Sequence, residues 1–574
     1  MGGFRRAVRR AAYLSVPTAA AIGLTYYASP TFRDIVHQAA FPGSRTIDVP
    51  VRVRGPDGKA MRTNKKFPRL TDDAIEMRLK ENALGQTTLR SNGLGAWRYQ
   101  TAFLAANDGI EDAHAQALVE RDLTPLAPPG DLLFFAIMDG HAGAHTSRLL
   151  SKALIPAVAA EMSALITSTR SLPPKTTSTL SYIKSFFVSG SGKSKDYEFD
   201  KDPTYVSAAL RTAFSKLDSK IINAPINLLD HIESQKDETT KPHEHPLAKA
   251  TLEPAMSGSC ALLAMLDTSR RDMYVACTGD SRAVAGYWDQ PRDGSPGYWR
   301  AEVLSEDQTG RNPNELKRMQ SEHPADEADL VIQRGRVLGG LEPTRAFGDA
   351  RYKWPREVGE RLVQNLLPAG STVRRVPNDL KTPPYVVADP VVTHRKLDFL
   401  PEHSSSTSPT VPPTASNSDV ESTLKFVVLA TDGLWDELSS KDVVGLVGGH
   451  LSGLRGDAIT KSVIPVQETD TAKGVEGKTA IQRLQESNAS SAVPETKWAF
   501  VDSHVGTHLI RNALGGADKE KLAWRVSLPP GVARRFRDDI TVTVVWYEDG
   551  KPVLPDTSAD AGEKVDGAPF KAKL

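Results

Sequence analysis

Five places along this chain put a carboxylate at the end of an apolar run. FFAIM (134–138) stops at Asp139-Gly140, YVACTG (274–279) at Asp280, and FVVLAT (426–431) at Asp432-Gly433. Asp538-Asp539 opens ITVTVVWY (540–547), and Glu111-Asp112 precedes AHAQALV (113–119). Glycine after the acid lets the backbone turn sharply and approach a ligand closely, which leaves its carbonyl available beside the carboxylate. Oxygen donors without Cys or His pairs suit a hard divalent ion, Mg²⁺ or Mn²⁺, that keeps several of its waters. Any single Asp-Gly is ordinarily a turn at a strand end, but five carboxylate sites at the edges of apolar runs are harder to dismiss as turns alone. The two cysteines, Cys260 and Cys277, have no metal-ligand spacing and read as core thiols.

These carboxylates need strands to carry them. After Leu104, short runs rich in Val, Ile, Leu and Phe (LLFFAIM, CALLAML, MYVAC, FVVLA, ITVTVVWY) alternate with longer helical stretches such as SRLLSKALIPAVAAEMSALI, so the body is mixed α and β. Residues 46–99 read as a connecting segment with one helix, LTDDAIEMRLKENAL, capped by Thr71 and turning Ile75 and Leu79 to one face. Ser/Thr/Pro-rich stretches near 167–202 and 402–422 read as surface insertions, as does 445–526 between the last acid-bearing strands, and 549–574 as a flexible tail. No repeat period is present.

The length of 574 residues sets no domain count by itself, since a mixed enzyme domain can absorb insertions. With 40% hydrophobic and 25% charged residues the chain is neither disordered throughout nor a polytopic membrane protein. Its 71 basic and 70 acidic residues leave a formal charge of +1, which excludes a global field for nucleic acid. The N-terminus is the exception. Arg5, Arg6, Arg9 and Arg10 precede any acid, and residues 11–32 carry no charge, so 1–45 reads as a mitochondrial targeting segment. The uncharged stretch is long enough for arrest in the inner membrane with the body in the intermembrane space, although Ser, Thr and Pro17 dilute it, and a presequence leading on to the matrix, a secretory signal or a plain disordered arm are the alternatives. Arg6 stands where an N-myristoylation motif requires Ser or Thr.

Taken in order, IEDAH (110–114), DGHAG (139–143), SGSCA (257–261), TGDSRAV (278–284), GGLEPTRAFGD (339–349), ATDGLWDEL (430–438) and RDDITVTVV (537–545) resemble the metal-dependent protein serine/threonine phosphatases of the type 2C class. The resemblance covers roughly residues 100–548. ANDGIEDA, DGHAG and TRAFGDARYKW are similar to the pyruvate dehydrogenase phosphatase branch of that class. It implies an α+β fold in which two antiparallel sheets pack as a sandwich flanked by helices, with a two-metal cleft at one end.

On that resemblance, Asp139 bridges two Mg²⁺ or Mn²⁺ ions, the Gly140 carbonyl and Glu111 hold one, and Asp432 and Asp538 hold the other. Asp280 and Asp436 match positions that contact a weaker third metal. Two cations about 4 Å apart acidify a water enough to supply hydroxide near neutral pH, so no covalent phosphoenzyme is needed. His141 would protonate the leaving seryl oxygen, with Asp112 helping to orient it. Asn107 stands where many relatives carry a phosphate-clamping Arg, and Arg345 is a second candidate for substrate contact. SGS (257–259) and TRAFGD (344–349) otherwise read as structural turns and a helix start near the cleft. The implied substrate is a phosphoprotein, foremost the pyruvate dehydrogenase E1 α-subunit. Another mitochondrial phosphoprotein, a non-catalytic partner-binding relative, and more remotely a two-metal nuclease are the rival readings.

Overall fold

The computed structural model describes residues 46–54, 60–89, 95–121, 130–167, 198–235, 241–398 apart from 372, 373 and 375, residue 400, 419–469, 497–549 and 570–573. The 1–45 segment, with its 11–32 stretch, therefore lies outside the described residues, as do most of the 167–202 and 402–422 insertions.

Two large sheets form the body. One runs in spatial order Val466–Glu468, Tyr298–Val303, Arg282–Pro291, Val420–Ala430, Ile540–Asp549, Gly95–Leu104 and Ala83–Leu89. The other runs Val391–Lys396, Asp272–Thr278, Gly258–Asp267, Gly130–His141, Ala113–Arg121 and Phe570–Lys573, with Phe347–Gly348 paired on Gly258–Asp267. Pairing is antiparallel except at two edges, where Val466–Glu468 and Phe570–Lys573 each lie parallel to their neighbours.

Alternation along the strands explains why the acid-bearing runs are apolar without interruption. Leu133, Phe135 and Ile137 point into the space between the sheets with Val427, Leu429 and Val545. Phe134, Ala136 and Met138 face outward onto Leu150, Leu154, Val158 and Phe214 of helices His145–Thr167 and Pro203–Ser234. On the opposite sheet, Phe426, Val428, Val542 and Val544 are covered by helices Ser440–Leu451 and Val505–Leu514. Strands buried on both faces have no solvent side to mark with polar residues. Each fully buried Leu, Val or Phe contributes about 1.5–3 kcal/mol, so the two central sheets form a stiff base for the loops at their ends. Helix His145–Thr167 is long and apolar enough to cross a membrane, but its apolar face is spent on this core.

Three expectations change in content. Residues 46–99 contain the expected helix, Asp72–Lys80 with Thr71 Oγ1 accepting from the Ala74 amide, but also a hairpin of Thr46–Arg54 with Ala60–Pro68 and the sheet strand Ala83–Leu89. The hairpin buries Ile47 and Val49 against Ala106, Leu528 and Ala533. Much of 445–526 belongs to the helical layer over the first sheet, because Leu446, Val447, Leu509 and Ile510 face its core. Within the tail, Phe570–Lys573 forms an edge strand.

Candidate metal and phosphate site

Register brings the acidic strand ends together. Ala430 is opposite both Val542 and Arg282, so Asp432 and Asp538 leave neighbouring strands at the same end of one sheet. In the other sheet Met138 is opposite both Ala113 and Ala261, and Ala261 is opposite Thr278, which puts Glu111, Asp139 and Asp280 at the matching end. Carboxylate oxygens of Asp139, Asp280 and Asp432 lie within 4.8 Å of one another. The Asp432 amide donates to Asp139 Oδ2 at 3.4 Å across the sheets.

The loops that present these groups are held by their backbones. Glu111 Oε1 accepts from the Gly143 amide at 2.8 Å, and its carbonyl accepts from Ser147 Oγ at 2.5 Å. A side chain at Gly140 would overlap that Glu111 carbonyl, so only glycine permits the approach. Asp538 Oδ1 accepts from the Asp539 amide at 2.8 Å, while its other oxygen pairs with Arg534 at 2.7 Å. Asp539 is tied to the 106–111 loop: it accepts from the amides of Ala106, Asn107 and Glu111 and from Asn107 Nδ2, all between 2.5 and 3.0 Å.

Electrostatics in this end of the molecule are costly as they stand. Burial, then the charges of Asp112, Asp538 and Asp280, push the Asp139 carboxyl well up, and burial, then Asp139 and Asp538, do the same to Asp432. Asp280 is raised to about 7, chiefly by burial, and Asp538 to about 6, again by burial and despite Arg534. Asp432 Oδ1 is buried without a hydrogen-bond partner. A buried acceptor without a donor among crowded carboxylates is what a hard cation would satisfy, so the donor set fits Mg²⁺ or Mn²⁺. Asp436 sits one turn on, its amide donating to the Asp432 carbonyl at 2.7 Å.

Other expected roles fall out differently. His141 Nε2 is 2.5 Å from Asp349 Oδ2, the orienting contact that the resemblance assigned to Asp112. Asp112 instead accepts from Thr541 Oγ1 at 2.8 Å and Thr431 Oγ1 at 3.0 Å, stitching together the two strand ends that carry Asp432 and Asp538. Burial alone would lower the His141 pKa, but the charge and hydrogen bond of Asp349 overcome it and raise it. Asp349 comes from the end of TRAFGD, and a side chain at Gly258 would overlap both the imidazole and that carboxylate. SGS is accordingly the start of strand Gly258–Asp267, with Gly258 in register with His141, and not a turn.

Arg345 does not reach the cleft as a free cation. Its guanidinium forks onto Glu315 at 2.8–3.1 Å and donates to the Asp389 carbonyl at 2.7 Å, all in the interior. Asn107 likewise spends its amide on Asp539. Cys260 donates to Asp280 Oδ1 at 3.1 Å and Cys277 lies buried in the core, so neither is a nucleophile. Sequence reasoning missed Asp349 and Arg534; the Gly-Asp ending of TRAFGD was the available signal for the first, and the spacing of four residues before Asp538 for the second.

The family profile described as Protein phosphatase 2C matches residues 182–463. The Schizosaccharomyces pombe protein "Protein phosphatase 2C homolog C10F6.17c" is 33% identical over 491 residues, 85% of this chain and 88% of its own. "[Pyruvate dehydrogenase [acetyl-transferring]]-phosphatase 1, mitochondrial" of Saccharomyces cerevisiae is 32% identical over 84% of this chain and 74% of its own, and the Homo sapiens protein of that name is 32% identical over 77% and 76%. Among solved structures, serine-threonine phosphatase 2C from Toxoplasma gondii aligns with 81% of this chain and 99% of its own at 13% identity and a TM-score of 0.35.

Proposed function

This chain belongs to the protein phosphatase 2C family, the metal-dependent protein serine/threonine phosphatases, and from that premise we propose that it dephosphorylates, and so activates, the pyruvate dehydrogenase E1 α-subunit in mitochondria. The observation that carries the reaction is the Asp139, Asp280 and Asp432 cluster with its orphaned Asp432 oxygen. The substrate and compartment rest on the relatives bearing the pyruvate dehydrogenase phosphatase name.

In this reading Asp139, Glu111 and the Gly140 carbonyl would hold one Mg²⁺ or Mn²⁺, and Asp139, Asp432 and Asp538 would hold a second, with Asp280 and Asp436 available to a weaker third. When bound, the cations supply an acidified water and neutralise the phosphoryl oxygens. The chain does the rest. Asp112, Thr431 and Thr541 fix the spacing of the two acid-bearing strands. Asp349 orients His141 and, through its charge and hydrogen bond, favours the protonated ring, and His141 would give its proton to the seryl oxygen as the phosphorus–oxygen bond breaks. Hydrolysis transfers the phosphoryl group to water directly, in keeping with two buried, protonated thiols.

The test sets phosphorylated pyruvate dehydrogenase complex against an unrelated phosphoserine protein in one reaction with Mn²⁺. Preferential release from E1 α with recovery of dehydrogenase activity is the expected result; equal rates on both would overturn the substrate reading.

A further inference from the structure

We infer that Arg534 is a phosphate-binding residue of this site, supplying the guanidinium contact to the phosphoserine dianion. The inference rests on the phosphatase reading above.

A dianion entering a cleft lined by carboxylates needs a cationic partner beyond the metals. The arginine and amide expected to serve are engaged elsewhere: Arg345 is neutralised in the interior by Glu315, and Asn107 is turned onto Asp539. Arg537 is buried, donating through Nη2 to the Ala105 carbonyl at 2.8 Å, and burial lowers it to about 10. Arg534 differs from all three. It sits on the carboxylate of Asp538 at 2.7 Å with 49% of its side chain exposed, so the guanidinium spans from a candidate metal ligand to solvent.

Its backbone is held rather than loose. Arg534 lies in the turn Ala533–Arg535, and the Gly531 amide donates to the Ala106 carbonyl at 2.8 Å while the Arg537 amide donates to the Ala533 carbonyl at 3.0 Å. Ala533 is fully buried with Leu528 against Ile47 and Val49 of the N-terminal hairpin. The turn is thus pinned to the loop bearing Asn107 and Glu111. Only one nitrogen is needed on Asp538, and the planar fork leaves a second edge for a phosphate oxygen.

A purely charge-balancing role makes a different prediction, which the experiment separates. Inorganic phosphate is used as a competitive inhibitor of wild type, Arg534→Ala, Arg534→Lys and Arg535→Ala, with a phosphoserine peptide as substrate and Mn²⁺ titrated for each. Arg535 lies in the same turn, exposed and with the same charge. Loss of a charge-assisted bond should raise the phosphate inhibition constant and KM of Arg534→Ala by about tenfold or more. Lysine should restore part of that loss, and Arg535→Ala should stay within about twofold of wild type. Unchanged phosphate inhibition in a folded Arg534→Ala protein, with Mn²⁺ activating at lower concentration, would show that Arg534 only balances Asp538 and would overturn the inference. A wild type that fails to hydrolyse the peptide at all would instead contradict the phosphatase reading.

Discussion

Asp538 and Asp539 are adjacent and chemically identical, yet the structure gives them opposite tasks. Asp539 accepts four hydrogen bonds from the 106–111 loop, whereas Asp538 turns toward Asp432 and Arg534. Asp539→Asn must place a donor among N–H groups, so we predict a loss of about 1–3 kcal/mol of stability in urea denaturation, with turnover reduced less than in Asp538→Asn. The reverse ranking of turnover would move the ligand by one residue. For His141, the leaving group decides: His141→Ala should lower kcat on a phosphoserine peptide by about 10²–10⁴-fold but change p-nitrophenyl phosphate hydrolysis little, because nitrophenolate leaves without a proton. Equal losses on both would remove the proton-donor role. The clustered carboxylates were legible in the sequence because each borders an apolar strand. Asp349 was not, since it arrives from an irregular loop 208 residues after His141.

Helix Pro313–Glu322 is rich in charged and polar residues, and nothing in its sequence marks a partner for Arg345. One of its acids, Glu315, is in fact buried, and accepts from Arg345, Arg318 and Thr344 Oγ1. Burial raises its pKa, but the two arginines outweigh that and hold it at about 2, below the ordinary 4.5. A carboxyl lowered in the folded state stabilises it above the unfolded pKa and loses that stability as pH falls toward the folded one. Between about pH 4.5 and 2 the wild type should therefore lose about 3 kcal/mol from this group, whereas Glu315→Gln should start less stable at neutral pH and show a shallower acid decline. Urea midpoints of both proteins across that range check it, and an identical decline would place the acid sensitivity elsewhere. The sheet strands were readable from apolar runs and the Asp72–Lys80 helix from its Thr71 cap; the 46–68 hairpin was not, because residues 61–66 of its second strand are exposed and mostly polar.

Across the whole molecule, two sheets buried on both faces bring acids from distant parts of the chain to one end, and that end is strained until a cation arrives. Asp280 and Asp538, raised to about 7 and about 6, disfavour the folded metal-free state once ionised. A carboxyl raised by folding costs nothing below its ordinary value of 3.8, and its stabilising protonation is lost as pH climbs through the folded value. In EDTA the melting temperature should thus fall between about pH 4 and pH 7, Mn²⁺ should restore it at pH 7, and Asp139→Asn should melt no lower than wild type without metal. A metal-free wild type that is most stable at pH 7 would contradict this. The sandwich and its acidic end are readable from motif order, while the helical layer of 505–526 reads in sequence as an insertion because sequence does not reveal which face a helix covers. The most direct test of the metal centre as the seat of phosphoserine hydrolysis is phosphate release from a phosphoserine protein as Mn²⁺ is added to metal-free enzyme. Release should start from zero, saturate with metal, vanish again in excess EDTA and be nearly absent in Asp139→Asn; full turnover in excess chelator would contradict the account.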